Sequence, residues 1–292
     1  MSRTENGIKI NSVADMFGGK KTTVVEVPLE DLFPFKNHPF KVLNDEKMDE
    51  TVESIKKEGV LTPAIVRPRL DGGYEIISGH RRKRACEILG IETMPVIVKN
   101  YTDDEAVIKM VDSNIYREDI FPSEKAKAYR MKYDAEKHQG QDSDNTGKTL
   151  DLMADGCNDN AKKIQRYIWL SRLSDPLLIL VDEKRIPLYC GIDLSFLKER
   201  EQKWIEDLLY ADEESEIKIN LEKTGKIKDL SVNGSLTKGL LTEILLEKKT
   251  KKKNISFSRE NLSSYFGEDV TEKEIEKTII MLLERWKQER GE

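Results

Sequence analysis

The sequence has few of the residues that build covalent or metal-linked scaffolds. Its 292 residues include three cysteines and three histidines. These residues are scattered, and the odd number of cysteines argues against a disulfide framework, just as the spacing argues against a zinc site. We therefore expect Cys86, Cys157 and Cys190 to be buried thiols.

Long hydrophobic runs are also missing. No apolar stretch approaches the roughly 18 residues that a membrane span requires, and residues 1–21 contain no signal-peptide core. We therefore expect a cytoplasmic protein that does not use a membrane as a partner. The chain is long enough for about two domains, and its 35% of charged residues suits helices with charged, exposed faces.

The chain carries no excess of positive charge. Its formal net charge of −5 argues against a protein that coats nucleic acid indiscriminately. Positive charge is nevertheless concentrated locally, because the segment between Asp159 and Asp175 contains no acidic residue. The basic residues of that segment are Lys162, Lys163, Arg166 and Arg172.

The stretch from Tyr74 to Leu89 predicts a phosphate site. It reads as a short apolar strand that ends at Ser78, followed by Gly79 and a helix. Gly79 permits a close backbone approach, and the first turn of a helix offers free N–H groups and the positive end of its dipole. The first turns also carry His80, Arg81, Arg82, Lys83 and Arg84, while Ala85, Ile88 and Leu89 are expected to face inward. The alternative is that these cations form an ordinary solvated helix surface.

Short strands and helices alternate before and after this stretch, which predicts a small α+β domain. We expect a helix that begins at an Asn44 cap and ends at Gly59, and a capping box at Thr102 and Glu105. The predicted strands are Thr22–Val27, Ala64–Val66, Tyr74–Ile77 and Met94–Val98, with a turn at Asp71–Gly73.

The middle of the chain predicts helices in a helix-turn-helix arrangement. After a helix at Glu124–Lys137 and a polar linker, a short helix around Leu150–Met153 is separated by Gly156 from a longer one at Ala161–Leu173. In that last helix Ala161, Ile164 and Ile168 share one face, which leaves Lys162, Lys163, Gln165 and Arg166 on the other. Cations can hold DNA phosphates and glutamine can read adenine in the major groove. Equally, such helix pairs are common, and lysines often simply face water.

The remaining segments are assigned to packing or to linkage. We expect Tyr189, Ile192, Leu194, Phe196 and Leu197 to be core residues. A helix at Ser231–Glu247 leads into the basic run Lys248–Lys253, which reads either as a flexible linker or as a phosphate contact. A last amphipathic helix near Thr271–Gln288 must pack on its own domain or on a second subunit.

Three segments follow one another along the chain: Leu61-Thr-Pro-Ala-Ile-Val-Arg67, Ser78-Gly-His-Arg-Arg-Lys-Arg-Ala85 and Ser113-Asn-Ile-Tyr-Arg-Glu-Asp119. Together they resemble the three sequence boxes of the ParB partition-protein family. The resemblance runs from near Val24 to near Leu209. It implies a small mixed ParB/sulfiredoxin-like N-terminal domain, an all-α helix-turn-helix domain and a small C-terminal helical module that dimerises. The corresponding boundaries are a tail at 1–21, a nucleotide-binding domain at 22–120, a DNA-binding domain at 121–212, a helix and basic linker at 213–254, and the C-terminal module at 255–292.

The resemblance also implies that the chain binds CTP together with Mg²⁺. The nucleotide-binding positions carried over are Thr62, Pro63, Gly79, His80, Arg81, Arg82, Ser113, Asn114 and Arg117, with Asn114 as the Mg²⁺ ligand. Two departures matter. His80 and Ser113 each stand where the family usually has a glutamate, and nucleotide hydrolysis is thought to depend on the second of these. A weak CTPase activity is therefore an open question, and Glu118 or Asp119 could substitute for the missing carboxylate.

The function implied is that of a site-specific DNA-binding partition protein that forms a CTP-dependent clamp on double-stranded DNA. Its duty would be plasmid, chromosome or mobile-element segregation, as a homodimer located on the nucleoid or plasmid. In the family the N-terminal tail binds a ParA-type ATPase through a short glycine-rich peptide. The segment Phe17-Gly-Gly-Lys-Lys21 is only weakly similar to such a peptide. Two rivals remain: a transcriptional regulator without nucleotide switching, and a sulfiredoxin-like or small-molecule phosphotransferase. Sulfiredoxins need a cysteine at the position of Gly79.

Overall fold

A computed structural model describes most of the chain. The described residues are 23–117, 119–139, 146–155, 158–211, 217–247, 261–262, 265–267 and 270–290. The chain divides into two compact units, 1–246 and 247–292. The tail at 1–21, Glu118, Gly156, Cys157, the basic run and Ile255–Phe257 lie outside the described residues, so the predictions for them stay predictions. The domain boundaries at 120 and 212 likewise stay predictions.

The first unit begins with a five-stranded mixed sheet. Its strands are β1 (Val24–Pro28), β2 (Leu32–Phe33), β3 (Ala64–Pro68), β4 (Tyr74–Ser78) and β5 (Thr93–Val98), in the order β1-β5-β3-β4-β2. Pairs β1–β5 and β3–β4 are antiparallel, whereas β3–β5 and β2–β4 are parallel. Gly72 and Gly73, at φ of 88° and 69°, form the turn between β3 and β4, which confirms the predicted turn.

Three helices accompany the sheet: α1 (Glu46–Glu58), α2 (His80–Leu89) and α3 (Asp103–Asp112). The predicted capping box at Thr102 and Glu105 is confirmed. The predicted cap of α1 is wrong by one residue, because Asp45 rather than Asn44 accepts the Met48 N–H, at 2.9 Å.

The inward face of α2 also differs from the prediction. Ala85 and Cys86 are fully buried in the sheet core, whereas Ile88 is 48% exposed. Cys86 and Ile88 lie about 200° apart around the helix at 100° per residue, so once the thiol is buried the isoleucine faces outward. The expectation of buried thiols holds for Cys86 and Cys190.

Eight further helices complete the described part of the first unit. They are α4 (Pro122–Gln139), α5 (Thr146–Asp155), α6 (Ala161–Leu170), α7 (Asp175–Asp182), α8 (Leu188–Leu194), α9 (Glu199–Ala211), α10 (Leu221–Val232) and α11 (Lys238–Leu246). The single helix predicted at Ser231–Glu247 is wrong, because α10 ends at Val232 and Gly234 adopts a φ of 71°. Glycine in this left-handed conformation terminates a helix. The helix predicted at Ala161–Leu173 ends at Leu170.

The helical region packs around two clusters of buried apolar residues. One joins α3 to α4, α5 and α6, and includes Met110, Tyr129, Met153 and Ile164. The other runs from the end of α6 to α11. Because α3 also borders the sheet, the first cluster connects the sheet to the helix pair α5–α6.

The predicted core at 189–197 is correct except for its first residue. Ile192, Leu194 and Leu197 are buried and Phe196 is partly buried. Tyr189 is 53% exposed, so its core assignment is wrong. It occupies the second position of α8, where its ring lies against Arg166 of α6, 5.3 Å from the guanidinium carbon.

The second unit contains α12 (Glu272–Arg290), which confirms the predicted C-terminal helix. No residue of this helix is buried, and Leu282 and Trp286 are 54% and 51% exposed. The partner that the apolar stripe requires stays a prediction. No helix within the described ranges has both the length and the apolar character needed to cross a membrane.

Candidate functional site

A pocket of about 190 Å³ opens where β4 ends and α2 begins. It brings together the second and third sequence boxes, which begin 35 residues apart along the chain. Six of the nine predicted nucleotide-binding residues line it: Gly79, His80, Arg81, Arg82, Asn114 and Arg117. Of the residues that line this pocket, none is acidic, so its charge suits an anionic ligand.

Gly79 allows the backbone to turn sharply from β4 into α2. Its φ is 122°, a conformation that residues with a Cβ rarely adopt. A Cβ on Gly79 would lie 2.6 Å from the Cβ of Ala64 on β3. The close approach of two backbone segments at this point places the first N–H groups of α2 at the pocket, where they can bind an anion.

Arg81 is held at the pocket by a carboxylate. Its Nη2 donates to Asp45 Oδ1 at 3.0 Å, and the Arg81 side chain is 20% exposed. The hydrogen bond from Arg81 holds the pKa of Asp45 below its usual value. This contact uses one guanidinium nitrogen, so the remaining N–H groups of Arg81 can bind a phosphate.

Arg82 links the first box to the second. Its Nη1 donates to the carbonyl of Thr62 and, at 2.8 Å, to that of Pro63. Burial lowers the pKa of Arg82, although a guanidinium remains protonated at neutral pH. Thr62 and Pro63 do not line the pocket. The structure therefore places these two predicted site residues behind the pocket, where their backbone orients Arg82.

The third box contributes an amide whose nitrogen is already engaged. Asn114 Nδ2 donates to the Met110 carbonyl at 2.9 Å and to Ser113 Oγ at 3.1 Å, which leaves the amide oxygen of Asn114 for a ligand. Ser113 Oγ itself donates to the Met110 carbonyl at 2.9 Å, and Ser113 does not line the pocket. Ser113 is the C-cap residue of α3, and its hydroxyl oxygen accepts a hydrogen bond from Asn114, which helps to orient the amide.

The oxygen of Asn114 suits Mg²⁺, which prefers oxygen ligands and is usually held by few protein groups together with substrate phosphates. Within the described residues no group of three or more His, Cys, Asp or Glu side chains lies together to form a metal cage. Asp119 is paired with Lys47 at the surface and does not line the pocket. Any Mg²⁺ here would therefore be held by Asn114 and by the phosphates of the ligand.

His38 is a pocket residue that the sequence analysis missed. Its ring stacks on that of His80, with centroids 3.9 Å apart and planes inclined at 39°. Burial, together with the charges of His38 and Lys83, lowers the pKa of His80 to about 3. Burial also lowers the pKa of His38. Nothing in the local sequence around His38 signalled this position, because the loop that carries it is held by contacts with distant residues.

The predicted DNA-binding residues lie on one exposed face of α6. Lys162, Lys163 and Arg166 are exposed and Gln165 is half-buried, while Ile164 and Ile168 are buried on the opposite face. A cleft of about 210 Å³ between α6 and α8 is lined by Lys162, Lys163, Arg166 and Tyr189, among others. The basic face is thus presented to solvent, as a helix that contacts DNA requires.

Asp159 holds the start of α6 in place. This residue is 6% exposed and accepts hydrogen bonds from Lys125 at 3.0 Å, from the Tyr129 hydroxyl at 2.8 Å and from Lys163 at 2.6 Å. Burial alone would raise its pKa, but the hydrogen bonds from Lys163, Tyr129 and Lys125 outweigh burial and hold the pKa below its usual value. The negative charge of Asp159 therefore orients Lys163 and ties α6 to α4.

We predict that Asp159→Asn will destabilise the first unit. The asparagine removes charge-assisted hydrogen bonds, each worth about 1.5–3 kcal/mol, so the free energy of unfolding should fall by about 1–3 kcal/mol at pH 7 when measured by urea denaturation. A lowered pKa stabilises the fold fully above the ordinary carboxyl value of about 3.9, and this contribution is lost as the pH falls through the lower pKa of the folded state. The difference between wild type and variant should therefore be largest above that value and should shrink as the pH falls below it. A difference that stays constant from pH 7 down to pH 3 would contradict this assignment.

Comparison with family models adds an independent finding. Residues 15–115 match the family described as the ParB N-terminal domain. This range contains the first two sequence boxes and the start of the third.

Curated relatives are similar over part of their length. A nucleoid occlusion protein of Halalkalibacterium halodurans is 30% identical over 172 residues, which cover 59% of this chain and 57% of the relative. The chromosome-partitioning protein Spo0J of Thermus thermophilus is 39% identical over 107 residues, 37% of this chain and 39% of the relative. Stage 0 sporulation protein J of Bacillus subtilis is 38% identical over 125 residues, 42% of this chain and 43% of the relative. The chain thus spans about half the length of the curated relatives it matches.

Solved structures are similar at low identity. The C-terminally truncated ParB of Caulobacter crescentus in complex with the centromeric parS site is 18% identical, with a TM-score of 0.41, over 72% of this chain and 99% of that one. The same truncated protein in complex with CTP-γ-S is 22% identical, with a TM-score of 0.31, over 63% of this chain and 98% of that one. TM-scores this low establish no function for the present chain.

Proposed function

We propose that this chain, whose residues 15–115 match the ParB N-terminal domain, is a DNA-binding partition protein of the ParB family that binds CTP with Mg²⁺. The observation that carries the nucleotide part is the pocket itself, in which Gly79, Arg81 and Arg82 meet Asn114 and Arg117. A helix N-terminus, guanidinium groups and an amide oxygen are the groups that a polyphosphate and its cation require.

Each residue of the pocket has its own role in binding a triphosphate. The first N–H groups of α2 and the guanidinium groups of Arg81 and Arg117 donate to phosphate oxygens. Arg82, fixed by the carbonyls of Thr62 and Pro63, adds positive charge beside Gly79. Mg²⁺, when bound, neutralises phosphate charge, and Asn114 supplies the protein oxygen for it.

The DNA part of the proposal rests on α6. Lys162 and Arg166 contact phosphates of double-stranded DNA, and Gln165 is the candidate for reading a base edge in the major groove. Lys163 is paired with Asp159, so its contribution to DNA affinity is the smallest of the three cations. The names of the relatives, a nucleoid occlusion protein and a chromosome-partitioning protein, favour a role in segregation or in its coordination with the chromosome.

The two sites can be coupled through α3 and α4. Asp112, the last residue of α3, accepts a hydrogen bond from Lys132 of α4 at 2.6 Å, and the Lys132 side chain is 6% exposed. Although Asp112 itself is 36% exposed, this ion pair lies two residues before Asn114 in the chain and transmits a shift of the third box to the helical region. In the clamp that we propose, DNA brings two copies of the chain together and the nucleotide stabilises the closed form to the extent that it binds that form better than the open one.

The first measurement is the binding of CTP, compared with ATP and GTP, by calorimetry with Mg²⁺ and with or without DNA of the parent replicon. We expect selective binding of CTP that DNA strengthens. Arg81→Ala should lose this binding, and Arg84→Ala is its matched control. Arg84 lies exposed on the same helix α2, pairs with Glu87 at 3.2 Å and does not line the pocket. Preference for ATP would favour a phosphotransferase, and no nucleotide binding at all would leave a helix-turn-helix DNA-binding protein without a switch.

A further inference from the structure

The two histidines of the pocket have opposite hydrogen-bonding polarity. His80 Nε2 accepts the backbone N–H of Phe35 at 3.3 Å. His38 Nδ1 lies 2.7 Å from the carbonyl oxygen of Phe40, which can only accept, so this nitrogen carries the hydrogen. A neutral imidazole has one donor and one acceptor nitrogen. His80 therefore has an N–H donor at Nδ1, whereas His38 has a lone pair at Nε2.

The surroundings keep both rings neutral. Burial lowers the pKa of each ring, and for His38 the charge of Arg117 acts in the same direction against the hydrogen bond to Phe40. The charged side chains that line the same pocket, Arg81, Arg82 and Arg117, are all cations, and Lys83 adds to their effect on His80. A proton on either ring would face like charges from both α2 and the third box.

The acceptor nitrogen of His38 has no partner. Among the described residues His38 Nε2 is buried and makes no hydrogen bond, although buried polar atoms are nearly always paired. A phosphate oxygen cannot satisfy it, since both atoms are acceptors. The group that pairs with His38 must therefore be an O–H or N–H group.

We propose that the histidine pair selects a nucleotide over a bare polyphosphate: the Nδ1–H of His80 donates to a phosphate oxygen, and Nε2 of His38 accepts a hydrogen bond from the nucleoside. This proposal rests on the nucleotide site proposed above. A hydroxyl of the ribose and the amino group of cytosine are the donors that CTP offers. The two rings thus contact adjacent parts of one ligand: His80 donates to a phosphate, which can only accept, and His38 accepts from a donor group of the nucleoside.

The test compares CTP with inorganic tripolyphosphate, by calorimetry on the full chain. His38→Ala should weaken CTP binding about tenfold, the worth of one hydrogen bond, and should change tripolyphosphate binding less than about twofold. Retained tripolyphosphate binding also shows that the variant is folded. His38→Gln should restore CTP binding, because its amide oxygen can accept a hydrogen bond near the position of Nε2.

His80 variants should affect both ligands. His80→Asn keeps a donor near the position of Nδ1 and should bind both within about threefold of wild type, whereas His80→Gln places its amide near Nε2 and should weaken both about tenfold. UTP lacks the amino group, and 2′-deoxy-CTP and 3′-deoxy-CTP each lack one hydroxyl. The analogue whose binding His38→Ala leaves unchanged identifies the donor.

Three results would overturn the proposal while leaving the nucleotide site intact. They are equal losses of CTP and tripolyphosphate in His38→Ala, unchanged binding in His80→Gln, and a loss in His38→Ala that is the same for CTP and all three analogues. A wild-type chain that binds neither CTP nor tripolyphosphate would instead overturn the nucleotide site itself.

Discussion

Gly79→Ala is expected to abolish nucleotide binding and to lower the free energy of unfolding by about 3–5 kcal/mol. Two effects add. The φ of 122° is strained for any residue with a Cβ, and the new methyl group would lie 2.6 Å from Ala64 Cβ and 3.3 Å from Arg82 Nη2. Ala64 is fully buried in the sheet and cannot move aside, so the start of α2 must shift and carry His80 and Arg81 with it.

A second glycine on the same helix provides the control for this prediction. Gly90 ends α2 in the left-handed conformation at a φ of 69°, and a Cβ there would meet nothing within 4 Å. Gly90→Ala should therefore cost about 1 kcal/mol for backbone strain alone and should leave CTP binding unchanged. Urea unfolding measures the stability of both variants and calorimetry their affinity for CTP. Equal losses of stability would show that contact with Ala64 is not the cause.

The parts of the site that could be predicted from the sequence are local in the chain. The cations of α2 follow directly after a strand and a glycine, and Gly79 permits the close backbone approach that the sequence predicted, with a Cβ there falling 2.6 Å from Ala64 Cβ. The basic face of α6 was predictable because Ile164 and Ile168 recur at helical spacing and are buried. In both cases residues within one or two turns determine which side chains face the ligand.

His38 was not predictable, because its place depends on contacts between distant parts of the chain. The loop before α1 is anchored by His80, which accepts the N–H of Phe35 45 residues away. The same loop is anchored by Glu124, which accepts the N–H of Lys41 at 2.7 Å from 83 residues away. Such a loop has no periodicity from which its side-chain directions could be read.

Two predictions from the sequence, the core position of Tyr189 and the single helix at Ser231–Glu247, were wrong for different physical reasons. Tyr189 was assigned to the core because it is aromatic and lies in an apolar segment, yet a position at the start of α8 lets its ring face Arg166. The break between α10 and α11 had a visible signal in Asn233 and Gly234, a pair that favours a turn. Gly234 adopts the left-handed conformation and separates α10 from α11.

Arg81→Ala and the double variant Lys162→Ala, Arg166→Ala should lose different activities. Arg81 is a guanidinium at the pocket, so its loss should weaken CTP binding about 100-fold or more. Asp45, its partner, is 41% exposed and can be hydrated in the variant, so the fold should survive. Binding of Arg81→Ala to DNA in the absence of nucleotide should be that of wild type, because Arg81 lies on α2 and the basic face on α6.

The double variant should show the reverse pattern. Lys162 and Arg166 are exposed on α6 and make no contact with the nucleotide pocket, so CTP binding without DNA should be unchanged. DNA binding should weaken about 10- to 100-fold at physiological salt, and the slope of log affinity against log salt should fall by about two, one for each phosphate contact removed. Fluorescence anisotropy over a range of salt concentrations measures both quantities. Each variant serves as the control for the other, so loss of the same activity in both would refute the assignment of two separate sites. If each variant loses only its own activity, any dependence of DNA binding on CTP must arise from coupling between α2, α3 and the helical region.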